Sequence, residues 1–465
     1  MRLRIAQSVR NYELRVGEVG NTLTYNGKNP GETLEAFPGD RLDVHLINGL
    51  PPGPEDADCP DNHNTEHGLN TTNLHTHGLH VSPNVDSTGA FDADNVFLKV
   101  TPKGQLNNKC QVPHRRDGEA KYRFEIAEDH PSGTFWYHAH KHGSTNHQVS
   151  RGLAGPLIIR DLPGVMPPYI EAANERIFML TPDGAVQIGF DGSRTTNPSI
   201  SLKRGAVERW RIINADPRRD SFVRLTLPDD AVELWQIAFD GLTLERRVRV
   251  DPTDNSDPWI NHAALAPGNR TDLMVRVPLD SAPGELLVEA EKITGPGMHA
   301  PDLALAARPV DITIQILEEE TNDAWSNDDV LPGPGLTPFA MQPDKTREIR
   351  FGNGTIGGEK YDGEVKEEMT LGDEEAWTVL NDDFSTHPFH IHVNPFFVTH
   401  INGVELAKGD PLRRWQDTIA LPPSLGSQGS VGFNTRFESF RGDFVIHCHI
   451  LRHEDSGMMQ KVRVS

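Results

Sequence analysis

An internal repeat constrains this chain more than any other feature. Residues 38–48 read PGDRLDVHLIN, residues 204–214 read RGAVERWRIIN and residues 371–381 read LGDEEAWTVLN. Each copy has a glycine at a turn, an alternating stretch, and an asparagine nine residues after the glycine: Gly39/Asn48, Gly205/Asn214, Gly372/Asn381. The copies lie 166 and 167 residues apart, a near-constant offset that marks one unit used three times. Period-two alternation carrying Val, Ile, Leu and Trp reads as strands, and helical patterns are scarce. The 41 glycines and 35 prolines among 465 residues supply many turns. The expected fold is all-β: three consecutive Greek-key β-sandwich domains, residues 1–163, 164–322 and 323–465, with linker-like sequence at Leu162–Pro168 and Glu318–Pro334.

A formal charge of −22 argues against nucleic-acid binding, which wants a basic surface, and fits a well-solvated surface that attracts cations. No run of eighteen apolar residues exists, so no membrane span is expected. The N-terminus, Met1-Arg-Leu-Arg-Ile, lacks the apolar core of a signal peptide. The expected location is therefore extracellular or periplasmic if this is a trimmed mature chain, and cytoplasmic otherwise. Of three cysteines, Cys59 and Cys110 lie in Gly/Asn/Pro-rich loop sequence, where one disulfide and two free thiols are both open.

Four of the 21 histidines' neighbourhoods stand out as tight pairs: His75-Thr-His77, His138-Ala-His140, His390-Ile-His392 and His447-Cys-His449. Residues two apart on a strand share a face, so each pair presents two imidazoles side by side, and imidazole is a common ligand for copper, zinc and iron. The contexts match between the ends of the chain. His138 and His447 each follow a glycine (Gly133, Gly442) by five residues, while His75 and His390 open the other two pairs. The middle unit has no pair. Eight converging imidazoles therefore require the first and third units to meet.

Strand parity then separates two sites. His447 and His449 point one way, so Cys448 points the other. His387, three residues before His390, also points away from its pair. His453 and Met458 follow Cys448 by five and ten residues, with Met459 as a neighbouring alternative to Met458. His, Cys, His and a weak axial Met form the ligand set of a blue copper site. In the first unit Thr72 and Ala139 occupy the positions equivalent to His387 and Cys448. Metal-bound histidines usually hydrogen-bond outward through the second nitrogen, and Asp383, four residues before His387, is a candidate partner; Asp417 is a weaker one. His80, His142 and His147 match no ligand position and read as second partners or surface residues.

The four motifs HTHGLH (75–80), WYHAHKH (136–142), HPFHIH (387–392) and HCHILRHEDSGMM (447–459) resemble those of the three-domain, laccase-like multicopper oxidases, built of cupredoxin-like domains. The resemblance implies four copper ions per chain. His387, Cys448, His453 and axial Met458 would hold type 1 copper, and His75 and His390 type 2. His77, His138 and His449 would hold one type 3 copper, and His140, His392 and His447 the other. It further implies one-electron oxidation of phenols or aromatic amines, with entry at the exposed edge of an imidazole such as His387, coupled to reduction of dioxygen to water. Asp86, eleven residues after His75, and Glu454, directly after His453, match acids that the family keeps near the oxygen site, and a proton-relay role is expected of both. The reading implies a monomer, since one chain supplies every ligand, with dioxygen and small aromatic donors or metal ions as partners. Oxidation of Fe(II) or Cu(I) in the same fold is the alternative. The nine methionines form no Met-rich run, which counts against the Cu(I) version. A copper-free scaffold would lack ligands, and a zinc hydrolase would not call for the His-Cys-His-Met set.

Overall fold

The computed structural model of the chain describes residues 8–53, 62–86, 88–105, 114–189, 191–228, 230–251, 253–299, 311–337, 339 and 342–465. Cys59 and Cys110 lie outside the described residues, and with them the question of a disulfide.

The repeated segments are three eight-residue strands, Arg41–Asn48, Val207–Asn214 and Glu374–Asn381. Each pairs parallel with an upstream strand: Val9–Val19, Asn174–Thr181 and Lys345–Gly352. Each also pairs antiparallel with a downstream strand: Glu119–Glu125, Arg270–Arg276 and Gly429–Arg436. Gly39, Gly205 and Gly372 have φ of +90°, +78° and +97°, a conformation that a Cβ disfavours.

The repeated asparagine has one role in all three copies. Its amide donates to two loop carbonyls: Asn70 and Val100 for Asn48, Ser221 and Leu265 for Asn214, Ser385 and Pro422 for Asn381. Its Oδ1 accepts from the backbone N–H two residues on, at Leu50, Asp216 and Asp383. Each asparagine is buried, so it ties the end of its strand to two loop carbonyls that would otherwise be less well satisfied.

Each unit stacks two main sheets, of four and four strands, seven and four, and seven and five. The units share apolar surface. The third unit's core takes in Phe222, Trp259, Ala266 and Ile293 of the second. A smaller cluster joins Trp136 and Ile158 of the first to Ile177 and Ile213 of the second. Two short helices, Thr145–Ser150 and Leu451–Asp455, follow the second and fourth histidine pairs. Asp455 accepts from the backbone N–H groups of Gly143 and Asn146 at 2.6 and 2.8 Å, tying the third unit to the first. No helix among the described residues is long and apolar enough to cross a membrane.

Candidate metal centre

Four strands carry the histidine pairs, and their registers match. In the first unit His75 lies opposite His138; in the third, His390 lies opposite His447. Paired residues share a face, so each unit presents four imidazoles from one pair of strands. The two sets interleave with approximate twofold symmetry. His75 stacks on His392 and His77 on His390, each at 3.9 Å between ring centroids. His140 meets His447 at 4.8 Å and His138 meets His449 at 5.8 Å. The same symmetry exchanges His77, His138 and His449 with His392, His447 and His140.

The hydrogen bonds leave metal-binding nitrogens free. His75 Nδ1 donates to Asp94 at 2.9 Å, His138 Nδ1 to the Ala139 carbonyl at 2.9 Å, and His390 Nδ1 to the Asp417 carbonyl at 2.9 Å. The Nε2 atoms of these three are buried without a partner. His77 is reversed: Nε2 donates to Asp417 Oδ1 at 3.0 Å, which leaves the Nδ1 lone pair facing His449 Nε2 at 3.2 Å. His447 Nδ1 donates to the Cys448 carbonyl, and its Nε2 lies 3.1 Å from His140 Nε2 and 3.2 Å from His392 Nε2. An ion held tetrahedrally at about 2.0–2.1 Å by imidazoles sets its ligand nitrogens ~3.3 Å apart, so these spacings fit metal ions. Burial, then the neighbouring imidazoles, pushes His75, His392 and His447 well below the usual histidine range, which favours the neutral form that binds metal.

The reverse face of the third unit holds the second site. Cys448 Sγ lies 3.6 Å from His387 Nδ1 and 3.7 Å from His453 Nδ1. Burial pushes the Cys448 thiol up, so a thiolate here requires a cation beside it. Met458 is fully buried in the same core as Cys448, and its carbonyl accepts from Cys448 N at 3.0 Å. Met459 is paired with His447 and therefore belongs to the other face, which removes it as an axial candidate. Asp383 Oδ2 accepts from His387 Nε2 at 2.9 Å, as the sequence suggested.

Three expectations change. Asp86 is not brought to the histidines; its carboxylate takes Thr88, Ala90 and Phe91 in a turn and faces Arg123. The acid on His75 is Asp94, whose carboxyl is pushed up to about 7 by burial. His387 is only 2% exposed, so it offers no open edge; the half-buried ring is His453. Asp417 is central where the sequence made it secondary. It serves His77 and His390 and is clamped by Arg270 of the second unit at 2.9 and 2.6 Å. Burial would raise this carboxyl, but Arg270 holds it below the usual range. Arg270 also touches Asp240, and Gly268 (φ +94°) lies where a Cβ would meet the His449 ring at 2.9 Å. The second unit thus supports the histidine site without a histidine of its own. Sequence carried no signal for Arg270 or Asp94.

Glu454 is fully buried, and burial pushes its carboxyl up to about 8. Its Oε1 meets His142 Nδ1 at 3.0 Å, and its Oε2 has no partner. His142 lines a cleft of about 320 Å³ that reaches His140. His80 donates from Nδ1 to the Val393 carbonyl, and His147 Nε2 faces Arg151.

Comparison with known proteins agrees with this geometry. Residues 62–164 and 312–465 match two family models, each described as multicopper oxidase. A multicopper oxidase of Staphylococcus haemolyticus is 26% identical over 96% of this chain and 84% of the relative. A laccase of Bacillus subtilis is 23% identical over 95% and 90%. An iron transport multicopper oxidase of Epichloe festucae is 32% identical over 93% and 71%. Among solved structures, a multicopper oxidase from Campylobacter jejuni, described as a metallo-oxidase, aligns with a TM-score of 0.68 at 21% identity, covering 98% of this chain and 91% of that one. The fold is accordingly cupredoxin-like throughout. Family models at both ends of the chain, and a relative above 30% identity along most of it, agree with the paired histidine strands: this chain belongs to the multicopper oxidases.

Proposed function

We propose that the chain is a laccase-like oxidase that takes single electrons from phenols and aromatic amines and passes them to dioxygen, as a monomer with four copper ions. The observation that carries this reading is the two-sidedness of the strand Gly442–Cys448, with Cys448 on one site and His447 on the other. His387, Cys448, His453 and axial Met458 would hold the type 1 ion, and His75 and His390 the type 2 ion. The type 3 ions would fall to the two symmetry-related trios, His77, His138, His449 and His140, His392, His447. Bound copper supplies one-electron acceptance at the first site and reduction of dioxygen to water at the second.

The residues of the chain supply the rest. Cys448 is joined through its own backbone to His447 and His449, so the shortest covalent path between the sites is one peptide unit either way. Asp94, Asp417 and the Ala139 carbonyl fix the tautomers of His75, His77, His390 and His138, which aims lone pairs inward. Glu454 keeps a proton up to about pH 8 with Oε2 unpartnered, and so holds a proton to give beside the oxygen-reducing site. His142 links Glu454 to the cleft.

The type 1 surroundings bear on the choice between aromatic donors and metal ions. His299, His387 and His453 bring nitrogens within 4.8 Å of one another, as a cation site would. Yet His387 Nε2 carries a proton donated to Asp383, and His453 turns its Nδ1 lone pair to Cys448. Asp383 has Oδ1 engaged with Asn353 N as well. Each Asp383 oxygen keeps a second lone pair, so Asp383 and His299 Nδ1 together could serve a cation as well as a phenol. Turnover of copper-loaded protein on a phenol, Fe(II) and Cu(I), with metal per chain by mass spectrometry, tests the reading. Four copper ions and preferred turnover of the phenol are expected; preference for either metal ion would make it a metallo-oxidase.

A further inference from the structure

His299 stands at the type 1 site without belonging to its ligand set. It comes from the second unit, and the segment that carries it is fixed to the third. Thr386 N donates to the Gly297 carbonyl at 2.8 Å, and His299 Nε2 donates to the Thr386 carbonyl at 2.8 Å. Gly297 (φ +81°) packs so closely that a Cβ there would meet the Pro423 ring at 2.3 Å, and Met298 packs against the third unit's core. The His299 ring lies 5.5 Å from that of His387 and 5.4 Å from that of His453, steeply inclined to both.

With Nε2–H given to Thr386, neutral His299 carries its lone pair on Nδ1. No donor among the described residues meets that nitrogen. Exposed apolar side chains stand nearby: Leu425 is 47% exposed and lies against Gly297, and Phe384, next in the chain to Asp383, is 79% exposed.

We propose that His299 is a positioning residue for the reducing substrate: its Nδ1 accepts a hydrogen bond from the phenolic O–H or aromatic N–H of a donor whose ring lies on the Leu425 side, against the half-buried ring of His453. A phenol gains a hydrogen bond from His299 and an apolar neighbour in Leu425 together. This holds only within the laccase-like reading. It adds that the second unit, which has no histidine pair, selects the donor.

The test uses copper-loaded enzyme with a methoxyphenol and with ferrocyanide, a one-electron donor that has no O–H or N–H to give. His299→Leu is expected to raise KM for the phenol about tenfold, as for loss of one hydrogen bond, with a smaller change in kcat. The ratio of phenol to ferrocyanide kcat/KM should fall by the same factor. His299→Asn, which returns an acceptor oxygen near the Nδ1 position, should recover part of the loss. A second measurement needs no variant: calorimetry on the wild-type enzyme should show the electron-poor 4-nitrophenol binding about tenfold more tightly than its methyl ether. Equal binding of phenol and ether, an unchanged KM in His299→Leu, or equal losses on both donors would overturn the assignment while the laccase-like reading stood. A wild-type enzyme that turns over Fe(II) or Cu(I) but no phenol would overturn both.

Discussion

The first and third units use the same pair of strands for different ends. On the inner face they are equals, His75 opposite His138 and His390 opposite His447. On the outer face they part. The third unit places His387, Cys448, His453 and Met458 there; the first has Thr72, Ala139, Ser144 and Val149 at the same offsets, all buried. Ala139 packs with Leu74 and Phe135 in an ordinary apolar core. A β-strand has two faces, and among the described residues only the third unit places candidate ligands on both. The first unit shows what the outer face is by default, a core position where a ligand must displace packing.

Predictions follow from trying to erase or transfer that difference. The largest effect is expected of Cys448→Ser, which should abolish the blue absorption and phenol oxidation while the inner-face histidines keep their metal. Mass spectrometry should then count three copper ions per chain, and retained colour would place type 1 copper elsewhere. Next, Glu454→Gln removes the buried carboxyl proposed as a proton source, which the third unit supplies. Turnover should fall about 10²–10⁴-fold while anaerobic bleaching of the blue band by a phenol stays fast, as stopped-flow absorbance would show. The sign with pH is fixed by the raised carboxyl. Below its ordinary value of 4.5 both folded and unfolded chains are protonated; between there and about 8 only the folded chain is, so this group's stabilisation is lost as pH rises through that window. The stability of copper-free protein, measured by chemical denaturation, should fall less steeply with pH in Glu454→Gln than in wild type.

A third change strikes the support that both units share. Arg270→Leu leaves the buried carboxylates of Asp240 and Asp417 without their cation and should destabilise by about 3–5 kcal/mol, measured by chemical denaturation. A loss within experimental error would mean that the second unit is only a spacer. The smallest effect is expected of Ala139→Cys, which puts the thiol at the first unit's outer face. With Thr72, Ser144 and Val149 in place of the other ligands it should create no second blue band, and should cost about 1–3 kcal/mol of overpacking. A second type 1 absorption would show that the thiol alone defines the site.

Much of this was legible beforehand because strand periodicity is local. His447, Cys448 and His449 alternate faces in any extended strand, and the repeat of Gly39/Asn48 at Gly205/Asn214 and Gly372/Asn381 set three units before any sheet was seen. Asp383 was legible for a different reason: only three residues separate it from His387, and the short bend between them keeps the two in contact. Asp86 was misjudged because its offset from His75 runs through a loop, where spacing does not fix direction. The turn spends its carboxylate on its own backbone, and Asp94, further along the same loop, returns to His75 instead.

The sequence by itself determined which side chains are candidate metal ligands and how they divide between two faces, since covalent geometry and pleating require nothing beyond neighbouring residues. Only the tertiary structure decided what stands behind those ligands. Asp417 meets His77 across 340 residues and Arg270 across 147, and His299 reaches the type 1 site from another unit. Contacts of that kind come from the packing of whole domains, in which burial forces each charge and each imidazole nitrogen to find a partner wherever in the chain one is brought near.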